Sequence, residues 1–271
     1  MLIDFHTHVF PDIIAEKTIQ ILKNKIVDGI GLNIEPETCG TVSSLKEQMD
    51  RCGVSISVNL PIATKPGQLD SIVGFAEKIK SKRMFSFASI HPENNNKYEM
   101  LKEIKLRGFK GIKLHPDYQG SFIDSKENIE ILKICEELEL YTIIHAGVDI
   151  GYKPPYKAMP DRIKNVLEHI SGNYLILAHL GGFMAWDDVE KYLVGKPVFL
   201  DTSMTAGFIE NEQFKRIILN HGSDKILFGS DSPWNSPLRI ERMLDSFELD
   251  KEQLDNIKWR NASRILGLNL T

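Results

Sequence analysis

The stretch Asp4-Phe5-His6-Thr7-His8 follows a short apolar run near the start of the sequence, Leu2-Ile3. Such a run predicts a β-strand, in which side chains two positions apart lie on one face. On that prediction His6 and His8 point the same way. Their imidazoles are then close enough to share one metal ion, since imidazole is a common ligand of zinc, iron, manganese and nickel. The alternative is two unrelated histidines in a loop, and the rest of the chain decides between the two.

Short apolar runs recur along the chain, each followed by a polar or Gly/Pro turn and then by a segment with helical spacing. We predict eight strands, at residues 2–6, 54–60, 84–90, 109–114, 141–145, 174–179, 198–202 and 225–229. Nearly all are separated by a helix. The first helix is predicted at residues 12–25, and residues 26–42, rich in Gly and Pro, are expected to form a long loop. A second helix is predicted at residues 43–52, with Ser44 and Glu47 in capping-box spacing.

Strands that alternate with helices run parallel, because a parallel crossover needs a covering helix. Eight such units predict an α/β protein, a (β/α)8 TIM barrel that forms a single domain over residues 1–271. The structural alternative is an open doubly wound sheet. That fold usually has a Gly-rich phosphate loop after its first strand, and this sequence has none there.

The positions of the histidines are a more specific signal than the pattern of strands and helices. Six of the eight stand at or just past the carboxyl end of a predicted strand: His6, His8, His91, His115, His145 and His179. Asp201 and Asp231 stand at the ends of the seventh and eighth strands, and Asn59 at the end of the second. In a parallel barrel these ends lie on one rim, where the active site forms. His169 and His221 lie near predicted helix carboxyl ends, where a cation suits the helix dipole, and we expect both to be structural.

A rim that carries His-x-His, further histidines and an aspartate is typical of a metal site. No cysteine cluster accompanies it, which disfavours a structural zinc site. Nitrogen and oxygen ligands suit catalytic Zn²⁺, with Fe²⁺, Mn²⁺ or Ni²⁺ as alternatives. Bound metal can lower the pKa of water from about 16 to about 7, which makes hydroxide available at neutral pH. We therefore expect one divalent transition metal, zinc first, and favour one metal over two.

Six segments that span the chain almost from end to end identify a family. They are Ile3-Asp4-Phe5-His6-Thr7-His8, Gly111-Ile112-Lys113-Leu114-His115-Pro116, Ile143-Ile144-His145-Ala146-Gly147, Leu177-Ala178-His179-Leu180-Gly181-Gly182, Phe228-Gly229-Ser230-Asp231-Ser232-Pro233 and Asn261-Ala262-Ser263-Arg264-Ile265-Leu266. In this order they resemble the amidohydrolase superfamily, and specifically its amidohydrolase-related (amidohydrolase 2) branch of metal-dependent TIM-barrel hydrolases and decarboxylases. Each segment alone is weak, and together they are specific.

The resemblance implies a role for five rim residues. His6 and His8 on the first strand, His145 on the fifth and Asp231 on the eighth would be the metal ligands. His179 on the sixth strand would be catalytic, because it would polarise the water or the substrate and shuttle protons. Asp231 would be catalytic as well, as the acceptor of a proton from the metal-bound water.

Other residues near the predicted rim have less certain roles. Lys113 and His115 lie two apart on the fourth strand, where binuclear members of the superfamily supply a bridging carboxylated lysine or a glutamate. We expect both to bind substrate, with a second metal as the alternative for either. Trp234, just past the eighth strand, is expected to line the pocket and bind substrate. The sequence leaves the roles of His91 and Asp201 open, although Asp201 could orient a histidine ligand.

The predicted function is that of a metal-dependent hydrolase, which cleaves a small organic C–N or C–O bond, in an amide or a lactone, through a metal-activated water. The first alternative is a non-oxidative decarboxylase of an unsaturated or aromatic acid on the same metal site. The second alternative is a non-catalytic metal-binding protein.

Two other families begin with a similar Asp-x-His-x-His stretch. Polymerase-and-histidinol-phosphatase proteins carry a late Asp-x-His that Asp231-Ser-Pro lacks, and TatD-type nucleases need a strand-four glutamate where Lys113 or His115 stands here.

The composition limits location and partners. A net charge of −4 argues against a nucleic-acid partner. No apolar window reaches the roughly 18 residues of a membrane span, and the first residues lack the pattern of a signal peptide. Three widely spaced cysteines form neither a CxxC pair nor an even framework, which indicates reduced thiols. We expect a cytoplasmic protein with a small-molecule substrate, and leave open whether it forms a homo-oligomer.

Overall fold

The computed structural model describes residues 1–270, apart from the side chain of residue 30. Its eight strands are β1 (Ile3–Thr7), β2 (Ile56–Asn59), β3 (Met84–Ser86), β4 (Gly111–Leu114), β5 (Tyr141–Ile144), β6 (Leu175–Leu177), β7 (Phe199–Asp201) and β8 (Ile226–Leu227). Every paired strand is parallel to its neighbour. All strands except β1 are shorter than predicted, and each lies within or overlaps its predicted segment.

The strands follow one another in chain order, β1 to β3 in one sheet and β4 to β8 in a second. Single parallel bridges join the two sheets at both edges, one between Ala88 and Ile112 and the other between Thr7 and Ser232. Backbone hydrogen bonds continue across the second junction, where the amide of Phe5 donates to the carbonyl of Phe228 at 2.8 Å. The predicted (β/α)8 TIM barrel is therefore confirmed.

Helices separate the strands. They are α1 (Asp12–Ile30), α2 (Val42–Cys52), α3 (Leu69–Ile79), α4 (Lys97–Leu106), α5 (Pro116–Gln119), α6 (Lys126–Glu137), α7 (Pro160–Val166), α8 (Trp186–Tyr192), α9 (Asn211–His221), α10 (Pro237–Asp245), α11 (Lys251–Asp255) and α12 (Asn261–Leu266). Short 3₁₀ segments cover His179–Gly181 and Ser223–Lys225, and a π-helical turn, Asn256–Arg260, joins the last two helices.

Two predictions about the first helices are wrong. The loop predicted from residue 26 begins only after residue 30, because α1 continues for about one more turn and ends at Gly31 in the left-handed conformation. The capping box of α2 is formed by Thr41 and Ser44, each side chain bonding the other's backbone amide, and Glu47 is not its partner.

The apolar core has two parts, as a barrel requires. One cluster fills the barrel interior and includes Phe5, Ile143, Ile176 and Leu227. Alternate residues of the same strands, such as Ile144, belong to a larger cluster between the sheet and the helices. This division between adjacent positions follows from the two-residue period of a strand, and it decides which side chains reach the rim.

His221 is structural, but not as a dipole-stabilised cation. It is buried at the end of α9, its Nε2–H donates to the carbonyl of Val198 at 2.8 Å, and its Nδ1 accepts the amide of Gly195 at 3.2 Å. Burial lowers its pKa, so the ring is neutral and ties α9 to the segment before β7.

Among residues 1–270, none of the helices is long and apolar enough to cross a membrane.

Candidate metal centre

Strand periodicity carries several predicted site residues to the rim of the barrel interior. His145 lies two positions after Ile143, which packs inside the barrel, and Asp201 lies two positions after Phe199. Side chains two apart share a face, so both polar groups continue an interior row beyond the point where the apolar core ends. Asp231 lies four positions after Leu227, beyond the end of β8, so the loop rather than strand periodicity places its side chain.

His6 reaches this rim by a different route. Ile3 and Phe5 already face the interior, so unbroken alternation would direct His6 outwards. Between Asp4 and Thr7, however, β1 has one residue more than the facing part of β2. A β-bulge of this kind redirects the side chains that follow it. The bulge accounts for the orientation of His6 towards the same cavity as His8.

Three potential ligand atoms meet at this point. The Nε2 atoms of His6 and His8 are 3.2 Å apart, and each is 3.2 Å from Oδ1 of Asp231. Ligands held at about 2.0 Å from a tetrahedral zinc ion are about 3.3 Å from one another, so the spacing fits a metal of this size. The three residues thus form a group suited to a divalent metal ion.

Hydrogen bonds at the far side of each ring determine the tautomers of both histidines. Nδ1 of His6 lies 2.7 Å from Oδ2 of Asp201, and Nδ1 of His8 lies 2.9 Å from the carbonyl oxygen of Leu60. Both oxygens can only accept, so each Nδ1 carries the hydrogen and each Nε2 presents a lone pair. Two lone pairs 3.2 Å apart repel unless a cation lies between or beside them, and either the ammonium group of Lys113, 3.3 Å from Nε2 of His6, or a metal ion can supply that charge. The donor set therefore has the chemistry of a metal site, and Asp201 takes the orienting role that the sequence left open.

Asp201 also connects the two halves of the site. Its Oδ1 accepts the backbone amides of His179 at 3.0 Å and Ser203 at 2.9 Å, and the hydroxyl of Ser203 bonds the same oxygen. Burial alone would raise the pKa of Asp201, but the neighbouring His6 ring outweighs burial and lowers that pKa. Asp201 is therefore an ionised buried carboxylate that positions both His6 and His179.

The predicted catalytic residues share an uncommon backbone conformation. His179 has a φ of 58° and Asp231 a φ of 72°, both in the left-handed region that non-glycine residues seldom adopt. Such backbones concentrate at functional sites, where the surrounding structure holds them in place. At Asp231 the holding contact is its own amide, which donates to the carbonyl of His6 at 2.9 Å.

His145 and His179 form a hydrogen-bonded pair beside the three-ligand group. Nδ1 of His179 lies 3.2 Å from the carbonyl of Ser203, so it carries the hydrogen, and its Nε2 accepts from Nδ1 of His145 at 3.0 Å. This leaves Nε2 of His145 buried and without a partner. The structure thus divides the predicted ligand set. His6, His8 and Asp231 converge, whereas His145 belongs to a neighbouring group.

That neighbouring group contains His115, His145 and Asp149. The rings of His115 and His145 stack with centroids 4.3 Å apart, and Nε2 of His115 is 3.5 Å from Oδ2 of Asp149. Each of the three has a buried polar atom without a partner. Burial raises the pKa of Asp149 to about 7, so this carboxyl is partly protonated near neutral pH.

Sequence reasoning missed two aspartates of the site. Asp149 lies in the loop after β5, four residues beyond His145, and no motif distinguished it. Asp4 accepts the backbone amide of Ser230 at 2.9 Å, which fixes the residue next to Asp231. Asp4 stands in the opening stretch itself, so its place two positions before His6 was the available signal.

The residues predicted to bind substrate lie beside the predicted metal ligands, in the same cavity. Lys113 is buried, with Nζ 3.3 Å from Nε2 of His6, and burial lowers its pKa to about 8. Trp234 is half-buried, and its amide donates to the carbonyl of Asp231 at 2.8 Å. One cavity of about 390 Å³ is lined by all eight residues predicted for the site: His6, His8, Lys113, His115, His145, His179, Asp231 and Trp234. The structure brings them together, and their individual roles stay predictions.

A family model described as amidohydrolase matches residues 3–268. The chain belongs to the amidohydrolase family. This is a family of enzymes, and its metal-binding TIM-barrel character agrees with the rim residues described above. No curated protein sequence matches the chain significantly.

Solved structures of similar fold cover nearly the whole chain. The 5-carboxyvanillate decarboxylase of Sphingomonas paucimobilis is 13% identical, with a TM-score of 0.67 and 99% of each chain covered. A dihydroxybenzoic acid decarboxylase of a Polaromonas species, solved with manganese and 2-nitroresorcinol, is 16% identical, with a TM-score of 0.68 and 100% of this chain and 98% of that chain covered. A protein from Acinetobacter baumannii, named as a probable 2-pyrone-4,6-dicarboxylic acid hydrolase and solved with citric acid bound, is 16% identical. Its TM-score is 0.64, with 98% of this chain and 99% of that chain covered. At these identities the likeness shows the fold, which hydrolases and decarboxylases share.

Proposed function

We propose that this amidohydrolase is a metal-dependent hydrolase that cleaves the C–N or C–O bond of a small amide or lactone. The observation that carries the proposal is the position of Asp231. Its carboxylate stands at the three-ligand group and lines the same cavity as His179. Hydrolysis needs an acceptor for the proton of the attacking water within hydrogen-bond reach of the reacting centre. A binding protein has no need for proton-transfer groups at that position.

His6, His8 and Asp231 would hold a divalent ion, for which we propose zinc, with His145 as the fourth ligand expected from the family resemblance. When bound, the ion would polarise a carbonyl group and lower the pKa of a water molecule to about 7.

Asp231 is suited to accept a proton. Burial raises the pKa of its carboxyl, but the neighbouring rings of His6 and His8, each 3.2 Å from Oδ1, outweigh burial and lower that pKa to about 2. The group is therefore ionised throughout the neutral range.

His179 is suited to move a proton at one defined atom. Burial lowers its pKa, so the ring is neutral near pH 7, and its Nδ1–H is committed to the carbonyl of Ser203. Its basic atom is therefore Nε2, which shares a hydrogen with Nδ1 of His145. Proton uptake and release at His179 take place on the side that faces His145.

A second candidate is decarboxylation of an unsaturated or aromatic acid at the same centre. Asp149 favours it, because a carboxyl with a pKa of about 7 can donate the proton that a carbon atom takes up when CO₂ leaves. Two structural relatives are named as decarboxylases.

A panel of lactones, amides and aromatic acids, scored for acid release and for CO₂ release, tests the proposal. Acid release from a lactone or amide that is lost in His179→Ala supports hydrolysis, and CO₂ release supports the second candidate. Metal content is measured alongside, with His6→Ala/His8→Ala as the metal-free control. If the metal-loaded protein turns over no member of the panel, it is a metal-binding protein and the proposal fails.

A further inference from the structure

The cavity at the metal centre extends well beyond the ligands, along one face of α1. Ile14, Thr18, Leu22 and Ile26 all line it, and they recur at every fourth residue, so they form one stripe of the helix. At a rise of about 1.5 Å per residue, the stripe is about 18 Å long. The cavity therefore has an elongated wall that is apolar at three of its four positions.

The opposite wall is also predominantly apolar. α3 contributes Ile72 and Phe75, and the segment after β2 contributes Leu60 and Ile62. The polar side chains on these walls, which are Thr18, Thr64, Gln68 and Ser71, are neutral. A ligand in this part of the cavity thus meets methyl, methylene and aromatic groups and a few hydroxyl or amide groups.

Charge is confined to the inner end of the cavity. Within the described part of the chain, the charged side chains that line it, histidines aside, are Lys113, Asp149 and Asp231. Lys113 lies 3.3 Å from a ring nitrogen of His6, and Asp149 lies 3.5 Å from one of His115, so both belong to the histidine cluster. None of the arginines in residues 1–270 is part of the lining.

Lys25, which precedes the lining residue Ile26 on α1, is a cation outside the lining that is already engaged. Nζ of Lys25 lies 4.8 Å from the ring centroids of Tyr118 and Tyr152 and 3.2 Å from the hydroxyl of Tyr152. A carboxylate at the outer end of a substrate would therefore gain no cationic partner in the wall, whereas an alkyl chain there would gain apolar contacts.

We infer that the substrate is an amide or lactone with an extended alkyl chain, whose polar function lies at the histidine end and whose chain runs along α1. This inference rests on the proposed function for the reacting group and on the cavity walls for the chain. A single aromatic ring at the metal centre would leave the outer turns of the α1 stripe in contact with water. An alkyl chain covers them, including Ile14, which is 46% exposed in this structure.

The test is the dependence of kcat/KM on chain length for γ-lactones whose unbranched side chain grows from none to eight carbons. Each buried methylene is expected to raise kcat/KM about fourfold until the stripe is covered. The same lactone with a carboxylate at the end of its chain is expected to react more slowly than its uncharged counterpart. A flat dependence on length, or a preference for the carboxylated chain, overturns the inference.

Binding separates this inference from the proposed reaction. Unbranched carboxylates of four to twelve carbons are titrated into the metal-loaded protein by calorimetry. Affinity that rises with length, without turnover of any lactone or amide, upholds the apolar cavity and refutes the hydrolase proposal. Turnover without any dependence on length upholds the hydrolase and refutes the inference.

Substitutions in the wall complete the test. Leu22→Asn places a polar group in the α1 stripe, and Leu219→Asn is the matched control, because Leu219 lies on α9, 47% exposed and outside the lining. The ratio of kcat/KM for the longest to the shortest lactone should fall at least about tenfold in Leu22→Asn, as expected when two or more methylenes lose their apolar contact, and stay unchanged in the control. Ile72→Asn repeats the measurement from the opposite wall if Leu22→Asn does not fold. An unchanged ratio in both folded wall variants refutes the inference.

Discussion

Replacement of Asp201 by asparagine isolates the residue that orients the proposed metal ligands. The asparagine side chain would keep one oxygen for the backbone amides of His179 and Ser203, which now bond Oδ1 of Asp201. Its NH₂ group would face Nδ1 of His6, where Oδ2 now accepts at 2.7 Å. Two donors cannot bond one another, so His6 would move its hydrogen to Nε2 and lose the lone pair that faces His8 and Asp231.

The magnitude follows from the bond that is lost. A buried hydrogen bond to a charged group contributes about 1.5 to 3 kcal/mol, which corresponds to about 10- to 150-fold in an equilibrium constant. Loss of an orienting partner behind a ligand typically weakens metal binding by about 10- to 100-fold. We therefore expect Asp201→Asn to raise the dissociation constant for Zn²⁺ by about one to two orders of magnitude.

The assay is a competition titration of metal-free protein against a chelator of known affinity, with circular dichroism to confirm folding. Asp117→Asn is the matched control, because Asp117 is also a buried aspartate but lies outside the cavity lining and accepts from the amide of Lys157. If folded Asp201→Asn binds zinc as tightly as the unaltered protein, the tautomer argument is refuted. If the unaltered protein does not bind zinc, the metal proposal itself fails.

Three further predictions follow from other parts of the structure. His179→Ala should keep its metal and lose about 10²- to 10⁴-fold in kcat, because the substitution removes a proton-transfer group but none of the three converging ligands. Both kcat and metal content are measured, and full turnover in the variant would exclude His179 from the mechanism. Cys39 should react with a thiol reagent long before Cys135. Cys39 is exposed and its pKa is lowered by hydrogen bonds from Ser44 and Thr41, whereas burial raises the pKa of Cys135 to about 12. Mass spectrometry of peptides gives the order of reaction, and equal rates would contradict the prediction. Gly147→Ala should lower the melting temperature sharply, because its φ is +92° and a Cβ would lie 2.2 Å from the amide nitrogen of Phe183, and an unchanged melting curve would show that this close approach is not required.

The sequence alone determined the barrel and the part of the site that follows from strand periodicity. Eight apolar runs separated by helical segments are local patterns, and they indicate parallel strands without knowledge of any contact. Once the strand ends are known, their polar residues are known to share a rim. The grouping of His115, His145, His179 and Asp231 in one cavity was accessible from sequence for this reason.

Only the tertiary structure decided how those residues divide and what surrounds them. His6 and Asp201 are 195 residues apart, and the bond between them depends on how the ends of β1 and β7 approach on either side of β8. The bulge that turns His6 inwards depends on the register between β1 and β2, which no alternation pattern records. The separation of His145 from the three converging ligands, the place of Asp149 beside His115 and the apolar wall along α1 likewise arise from packing between distant segments. Local patterns determine which face a side chain occupies, whereas ligand distances and cavity walls are set by contacts between segments far apart in the chain.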